Sequence, residues 1–338
     1  MESVSATPVK VSGAPAIPGL RFRRFTDDRD HAHLLKITNR CWDADSVGHL
    51  QSLPSIANSY CSTAGFEPKR DVVFAEIGGN PVAFSRITHA RQEDGIGLYD
   101  VAGQVLPQWR RRGLGAALLR HAVARQRELA WRHLKDDPKL LQSSIFEGQI
   151  GARALLEEHG FTQSPELELQ DMVRPTLDDP PLAVLSPQLE LRRAQPEHMR
   201  QIWALFRGAS CDGLGARETG EDDYQRWASW PFWDLSLWQI AWDGQQPVGM
   251  VLNFIRADEN EHFGRRRGYT EYINVARDWR RRGVGRALIV RSLSVLKQRG
   301  MTEAALDVYV HNPTGARQLY ESLGYRVVRS MLCYRRQL

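Results

Sequence analysis

The chain contains no apolar run approaching the roughly 18 residues that span a bilayer, so no membrane segment is predicted. Its 338 residues are 42% hydrophobic and 25% charged, the composition of an ordinary soluble globular protein. Cysteine is scarce: Cys41, Cys61, Cys211 and Cys333 are the four. They show neither metal-ligand spacing nor a disulfide-dense pattern, which fits a reducing, cytoplasmic setting and buried or incidental thiols. The histidines have no paired spacing that suggests a metal site, so no metal is expected. Residues 1–18 are small, polar and proline-bearing, lack the continuous apolar core of a secretory signal, and read as a flexible leader. The net charge of +5 gathers at Arg110 to Arg112, Arg280 to Arg282 and Arg265 to Arg267. Local charge of that kind suits a compact polyanion such as a phosphorylated cofactor better than a nucleic-acid footprint.

What the chain does contain is one unit written twice. The stretches WRRRGLGAAL from Trp109 and WRRRGVGRAL from Trp279 agree at eight of ten positions across an interval of 170 residues. Upstream, FAEIGGNPVAF from Phe74 lines up with IAWDGQQPVGM from Ile240; downstream, GARALLEEHGF from Gly151 lines up with GARQLYESLGY from Gly315. The blocks keep their order, so the duplication is structural. Between the halves, the prolines and acidic pair of RPTLDDPPLAVLSP resist both helix and central strand. The expected organisation is therefore a leader at 1–18, domains at 19–175 and 188–338, and a linker at 176–187, in keeping with a chain too long for one core. Each half reads as an opening strand, a helical region, a hairpin and a strand ending in Val105 or Val275. The arginine-glycine turn, a long helix, a strand, a short helix and final strands follow. The class is α/β, or α+β, around a mixed sheet.

The repeated turn sits between strand and helix, a layout that points backbone N–H groups and the positive helix end at one place. Glycines at 283 and 285 allow close backbone approach, and arginines add charge-assisted bonds to phosphate oxygens. The dinucleotide pattern is absent, because Leu118 and Leu288 stand where its third glycine belongs, and no Gly-Lys-Ser/Thr ending is present. Arg-x-x-Gly-x-Gly in this context resembles the acyl-CoA pyrophosphate loop of the GNAT superfamily of N-acetyltransferases. VHNPTGARQLYESLGY resembles a second signature near the end of that fold, with one extra residue between asparagine and alanine.

The resemblance covers nearly the whole chain and implies two tandem GNAT-type domains, each a twisted mixed sheet with splayed fourth and fifth strands and acetyl-CoA as acyl donor in the opening. It implies that Ile273, Asn274 and Val275 pair with the pantetheine arm. It also implies that Arg280, Arg281, Arg282, Gly283, Val284, Gly285 and Arg286 hold the pyrophosphate, with Asn312 and Tyr320 near the thioester. The N-terminal counterparts are Val105, Arg110, Arg111, Arg112, Gly113, Leu114 and Gly115.

The copies are unequal in proton carriers. Tyr320 stands where relatives carry the tyrosine that protonates the departing sulfur, and its phenol is protonated at neutral pH; the N-terminal half has Leu156 there. Strand alternation puts Glu271 on one face with Ile273 and Val275, which makes Glu271 the candidate base; Val101 is its counterpart. Asn312, just before Pro313, also suits a cap. Catalysis is expected in the C-terminal half alone, while the N-terminal loop binds acetyl-CoA or stabilises the fold. No cysteine sits beside a base, so direct attack in a ternary complex is expected, without a covalent enzyme intermediate.

For the acceptor, an amine on a small molecule or peptide, the tryptophan-rich stretch before Trp242 supplies aromatic rings beside carboxylates, which suits an organic ammonium. Glu221, Trp227, Trp230 and Trp233 are the candidates, against the alternatives of core packing for the rings and a helix N-terminus for the acids. No nucleic-acid or membrane partner is expected, and the chain reads as a monomer or homodimer. The alternative function is a CoA-binding regulatory protein without transfer activity.

Overall fold

The computed structural model describes residues 8–133, 137–178, 182–210 and 219–338. Cys211 and the parts of the leader and linker at 1–7 and 179–181 lie outside the described residues. Two compact units result: unit 1 falls within Met1–Ser164, Arg217–Trp227 and Leu332–Leu338, and unit 2 within Pro165–Ala216 and Ala228–Met331.

Unit 1 opens with β1 (Leu20–Arg24), α1 (Asp30–Ala44), α2 (Leu53–Ser59) and the single turn α3 (Pro68–Asp71). The sheet continues through β2 (Val72–Ile77), β3 (Asn80–Arg91) and β4 (Gly97–Val105); then come α4 (Leu114–Ala130), β5 (Lys139–Phe146), α5 (Ile150–Glu158) and β6 (Thr162–Gln163). Strand order is β1-β2-β3-β4-β5, antiparallel except for the parallel β4–β5 pair.

Unit 2 contains β7 (Leu169–Arg174), β8 (Glu190–Arg192), α6 (Met199–Ser210), β9 (Gln239–Asp243), β10 (Gln246–Ile255) and α8 (Ala257–His262), whereas α7 (Glu221–Ala228), which precedes β9 in the chain, falls in unit 1 up to Trp227. It continues with β11 (Arg267–Val275), α9 (Val284–Gln298), β12 (Glu303–Tyr309), α10 (Ala316–Ser322) and the first part of β13 (Arg326–Gln337), whose residues from Leu332 on fall in unit 1. Its order is β8-β9-β10-β11-β12-β7-β13, again with one parallel pair, β11–β12.

The repeat accounts for the shared core. Leu114, Ala117 and Leu118 of α4, and Val284, Ala287 and Leu288 of α9, recur at the spacing that puts one helix face on a sheet. Gly249 of β10 lets α9 come close, since a Cβ there would meet Val284 Cγ1 at 2.8 Å and Leu288 Cδ1 at 2.9 Å.

Two features depart from sequence order. The closing strand of the first repeat, β7, pairs with β12 and β13 in unit 2, while Tyr334 and Arg335 pair with β6 in unit 1. Residues 8–18, expected as flexible leader, lie against unit 1: Val9 N–H donates to Phe22 C=O at 2.9 Å, Val11 is buried, and Arg120 donates to Gly13 C=O at 3.2 Å. Val11 supplies apolar burial that composition alone did not reveal. The start of the linker is held too, with Leu177 in the core of unit 2 and Asp178 paired to Lys297 at 2.8 Å.

Candidate active site

Both parallel pairs open towards their C-terminal ends. β4 and β5 pair from Gly97↔Lys139 to Asp100↔Gln142, yet β4 runs on to Val105 and β5 to Phe146. β11 and β12 pair only from Arg267↔Glu303 to Tyr269↔Ala305, yet run on to Val275 and Tyr309. Each unit thus has a splayed opening with a strand-to-helix turn at its edge.

The two turns have the same backbone. Arg111 and Arg281 both sit at φ 59°, and the glycines that precede α4 and α9, Gly113 and Gly283, have φ 83° and 78°. Glycine adopts this left-handed region without steric cost. A glycine N-cap has no side chain to satisfy the first helical N–H groups, which leaves them to an anion. The arginines divide the labour: Arg110 Nε donates to Val105 C=O at 3.1 Å and Arg280 Nε to Val275 C=O at 2.9 Å, tying turn to strand. Arg112 and Arg282 lie 4.8 and 5.0 Å from the ring centroids of Trp109 and Trp279. Arg286 donates to Ser322 Oγ at 2.6 Å, and Arg110 pairs with Asp45 at 2.6 Å. Residues and backbone of both turns fit a CoA pyrophosphate.

Glu271 comes to the opening of unit 2 by a device that strand alternation did not predict. The β10–β11 register slips between Met250↔Asn274 and Leu252↔Glu271, and Tyr272 takes φ 50°. This bulge sets Tyr272 and Ile273 against Val251 and breaks the alternation that linked Glu271 to Ile273. The Glu271 carboxylate is held well above the usual glutamate range by burial and by the nearby Asp307 carboxylate, with Asp171 adding to the effect; N–H groups of Asp307 and Tyr272 bond to it and pull the other way.

Tyr320 is buried in α10 with its ring centroid 6.2 Å from that of Tyr325. Burial and the Glu271 charge both raise its proton affinity, so the phenol keeps its proton across the physiological range. Tyr325 Oη and Thr270 Oγ1 share a hydrogen bond of 2.7 Å behind it. Asn312 makes a local turn, accepting from Thr314 N–H at 2.9 Å; it does not cap α10 as the sequence suggested, because Gly315 is the N-cap. At the matching places in unit 1, Val101 and Leu156 are core residues. Cys41 bonds to Val105 C=O, and burial pushes its thiol up to about 11, away from the reactive thiolate.

The four acceptor candidates divide between the two units. Glu221 opens α7, where it accepts from Gln225 at 2.6 Å, and Trp227 is buried in the same helix; both belong to unit 1. Trp230 and Trp233 belong to unit 2 and pack on Phe254 at centroid distances of 4.6 and 6.2 Å. Trp230 and Trp233 both pack on the cluster that holds Tyr269 of β11, and the Trp233 ring lies 5.3 Å from Tyr272, which Phe206 flanks at 5.2 Å. Sequence reasoning missed Asp307, Asp171 and Tyr272. The first two meet Glu271 through pairings between strands far apart in the chain, which no local signal marks, and a non-glycine bulge leaves none either.

Among the described residues no helix is long and apolar enough to cross a membrane, and no group of three or more histidine, cysteine or acidic side chains could hold a metal.

Comparison with known proteins agrees with this fold. The sequence model of the acetyltransferase (GNAT) family matches residues 200–325, and that of an acetyltransferase (GNAT) domain matches residues 68–163. The chain is 26% identical over 326 residues to a mycothiol acetyltransferase of Propionibacterium freudenreichii, covering 95% of this chain and 92% of that one. It is 28% identical to one of Geodermatophilus obscurus, covering 92% and 95%. In fold it is similar to a GCN5-related N-acetyltransferase from Sphaerobacter thermophilus, with a TM-score of 0.68 and 22% identity over 94% of this chain and 95% of that one. It is also similar to a tandem GNAT protein from the clavulanic acid biosynthesis pathway, with a TM-score of 0.67 and 17% identity over 94% and 98%.

Proposed function

Because the chain belongs to the GNAT acetyltransferase family, with two GNAT domains in tandem, we propose that it acetylates an amine in unit 2 by direct attack in a ternary complex. The observation that carries this reading is that Glu271 lies near enough to Tyr320 in unit 2 for its charge to raise the phenol's proton affinity, where unit 1 has Val101 and Leu156. A carboxylate of raised proton affinity beside a phenol that keeps its proton supplies a base and an acid at one opening.

Bound acetyl-CoA supplies an acyl thioester. The turn from Arg280 to Gly285 holds its pyrophosphate through N–H groups and positive charge, Ile273 to Val275 line its arm, and Arg286 and Asn312 flank it. Glu271 takes a proton from the acceptor ammonium, freeing the nitrogen lone pair for the carbonyl carbon. As the C–N bond forms and the C–S bond breaks, Tyr320 delivers its proton to the departing sulfur, its phenolate takes back the second proton from the new amide nitrogen, and the proton on Glu271 leaves to solvent. In unit 1, Val105 and the turn from Arg110 to Gly115 keep the donor-binding shape without either proton carrier, and serve to bind acetyl-CoA or to stabilise the fold.

The acceptor enters against Trp233 and Tyr272, an aromatic wall beside a carboxylate that suits an organic ammonium. The name of the curated relatives makes mycothiol lacking its acetyl group the first amine to try. Mass-spectrometric transfer from acetyl-CoA to an amine panel, comparing wild type with Tyr320→Phe, tests the reading. Transfer to one amine class that collapses in the variant supports it; acetyl-CoA binding without transfer to any amine counts against it.

A further inference from the structure

Glu271 is not the only acid at the opening of unit 2. β11 and β12 part after Tyr269↔Ala305, and Asp307 lies two residues beyond that point. Its backbone N–H, no longer engaged in a β11–β12 ladder, bonds to the Glu271 side chain. On its other side β12 pairs with β7, where Asp307 and Asp171 are Cα partners. Asp171 is in turn the Cα partner of Arg329 in β13, with 3.5 Å from Nε to Oδ2. A row of charge therefore crosses four strands, with three carboxylates to one guanidinium. The same register in unit 1 puts Ser143 opposite Val101, so neither charge exists there.

We propose, resting on the reading of Glu271 as the base, that Asp307 is a positioning residue for it. Its backbone N–H orients the Glu271 carboxyl across the opening, and its carboxylate sets the pH range over which Glu271 accepts a proton. The parting of the strands makes this arrangement. A paired β12 would spend the Asp307 N–H on the ladder, whereas a splayed one presents it to a side chain arriving from the bulge at Tyr272.

The groups facing Glu271 come from every neighbouring element: Asp307 from β12, Asp171 from β7, Tyr320 from α10, and Tyr325 just before β13. Arg329 offsets Asp171, and Arg174 acts on Tyr325. Burial is the larger influence on Glu271, with Asp307 next. A carboxylate of raised proton affinity is the stronger base, and an acceptor that arrives as an ammonium calls for one.

The test needs no acceptor in its first arm. In full-length protein labelled with glutamate carrying 13C at Cδ, the resonance missing from Glu271→Gln reports the titration of Glu271. Asp307→Asn keeps the backbone N–H and removes only the charge. Asp307 is exposed, so solvent screens its charge, and the variant is expected to lower the Glu271 midpoint by roughly half a pH unit. The rising limb of kcat/KM, for an amine found by the transfer panel, should move down with it. A Glu271 midpoint that stays in place or rises in Asp307→Asn overturns the proposal. If that variant does not fold, Asp171→Asn should give a smaller shift of the same sign, and no shift there overturns it equally. A midpoint that moves while the rate profile stays leaves the control by Asp307 standing and overturns Glu271 as the base.

Discussion

Units 1 and 2 share a backbone to within a few degrees at the turn that defines them, yet they differ at nearly every position that could move a proton. Arg111 and Arg281 have the same φ of 59°, and Arg110 and Arg280 make the same bond to the strand end. The contrast begins inside the sheet. β3 and β4 pair without interruption from Ala83↔Val105 to Arg91↔Gly97, whereas β10 and β11 slip at Tyr272. Along the opening, Val101, Ser143 and Leu156 of unit 1 stand where unit 2 has Glu271, Asp307 and Tyr320. A donor-binding turn depends on glycines and backbone direction, which both copies keep. The proposed acid–base work depends on a few side chains and one bulge that are present in unit 2.

The sharpest way to break this comparison is at the base. Glu271→Gln should lower kcat by about 10²- to 10⁴-fold in steady-state transfer assays, while Val101→Ala should leave it within about twofold. Tyr320→Phe comes next, with kcat down by about 10²-fold and the KM for acetyl-CoA nearly unchanged, because the lost hydroxyl acts on the departing sulfur. Leu156→Ala should affect thermal stability instead of rate, since Leu156 is a core residue.

At the turns, Gly283→Ala and Gly113→Ala each put a Cβ at a left-handed position, and each should cost about 1–2 kcal/mol of stability in denaturant titrations. Only Gly283→Ala should also raise the KM for acetyl-CoA. The smallest effect concerns pH. The folded-state proton affinity of Glu271 is raised, so its contribution is fully present below the ordinary glutamate range and is lost as pH rises through the raised folded value. The stability of Glu271→Gln relative to wild type should therefore increase between pH 4 and pH 8, measured by chemical denaturation.

The turn, the duplication and the strand ends at Val105 and Val275 were legible because glycine and arginine act through local backbone and charge, which a short window records. The opening of the fourth and fifth strands came only through the family resemblance, as no local signal marks where two parallel strands stop pairing. Glu271 was found through strand parity, although the bulge at Tyr272 removes that parity; nothing in the sequence marks a tyrosine at positive φ. Asp307 and Asp171 meet Glu271 through strand pairings between distant parts of the chain, which one sequence does not reveal. The exchange of β7 and the end of β13 between units was hidden for the same reason. Of the aromatic stretch, Trp233 lies beside Tyr272 and Trp227 is buried in α7, placements that depend on tertiary packing and that composition does not record.

The central claim is that one opening of the two performs the chemistry. Its most direct test is acetyl transfer by the double variant Glu271→Gln/Tyr320→Phe, followed by mass spectrometry with saturating acetyl-CoA and the acceptor found for wild type. The account predicts transfer no faster than the enzyme-free reaction, with unit 1 intact. Turnover that stays near the wild-type rate would contradict it and move the chemistry to unit 1.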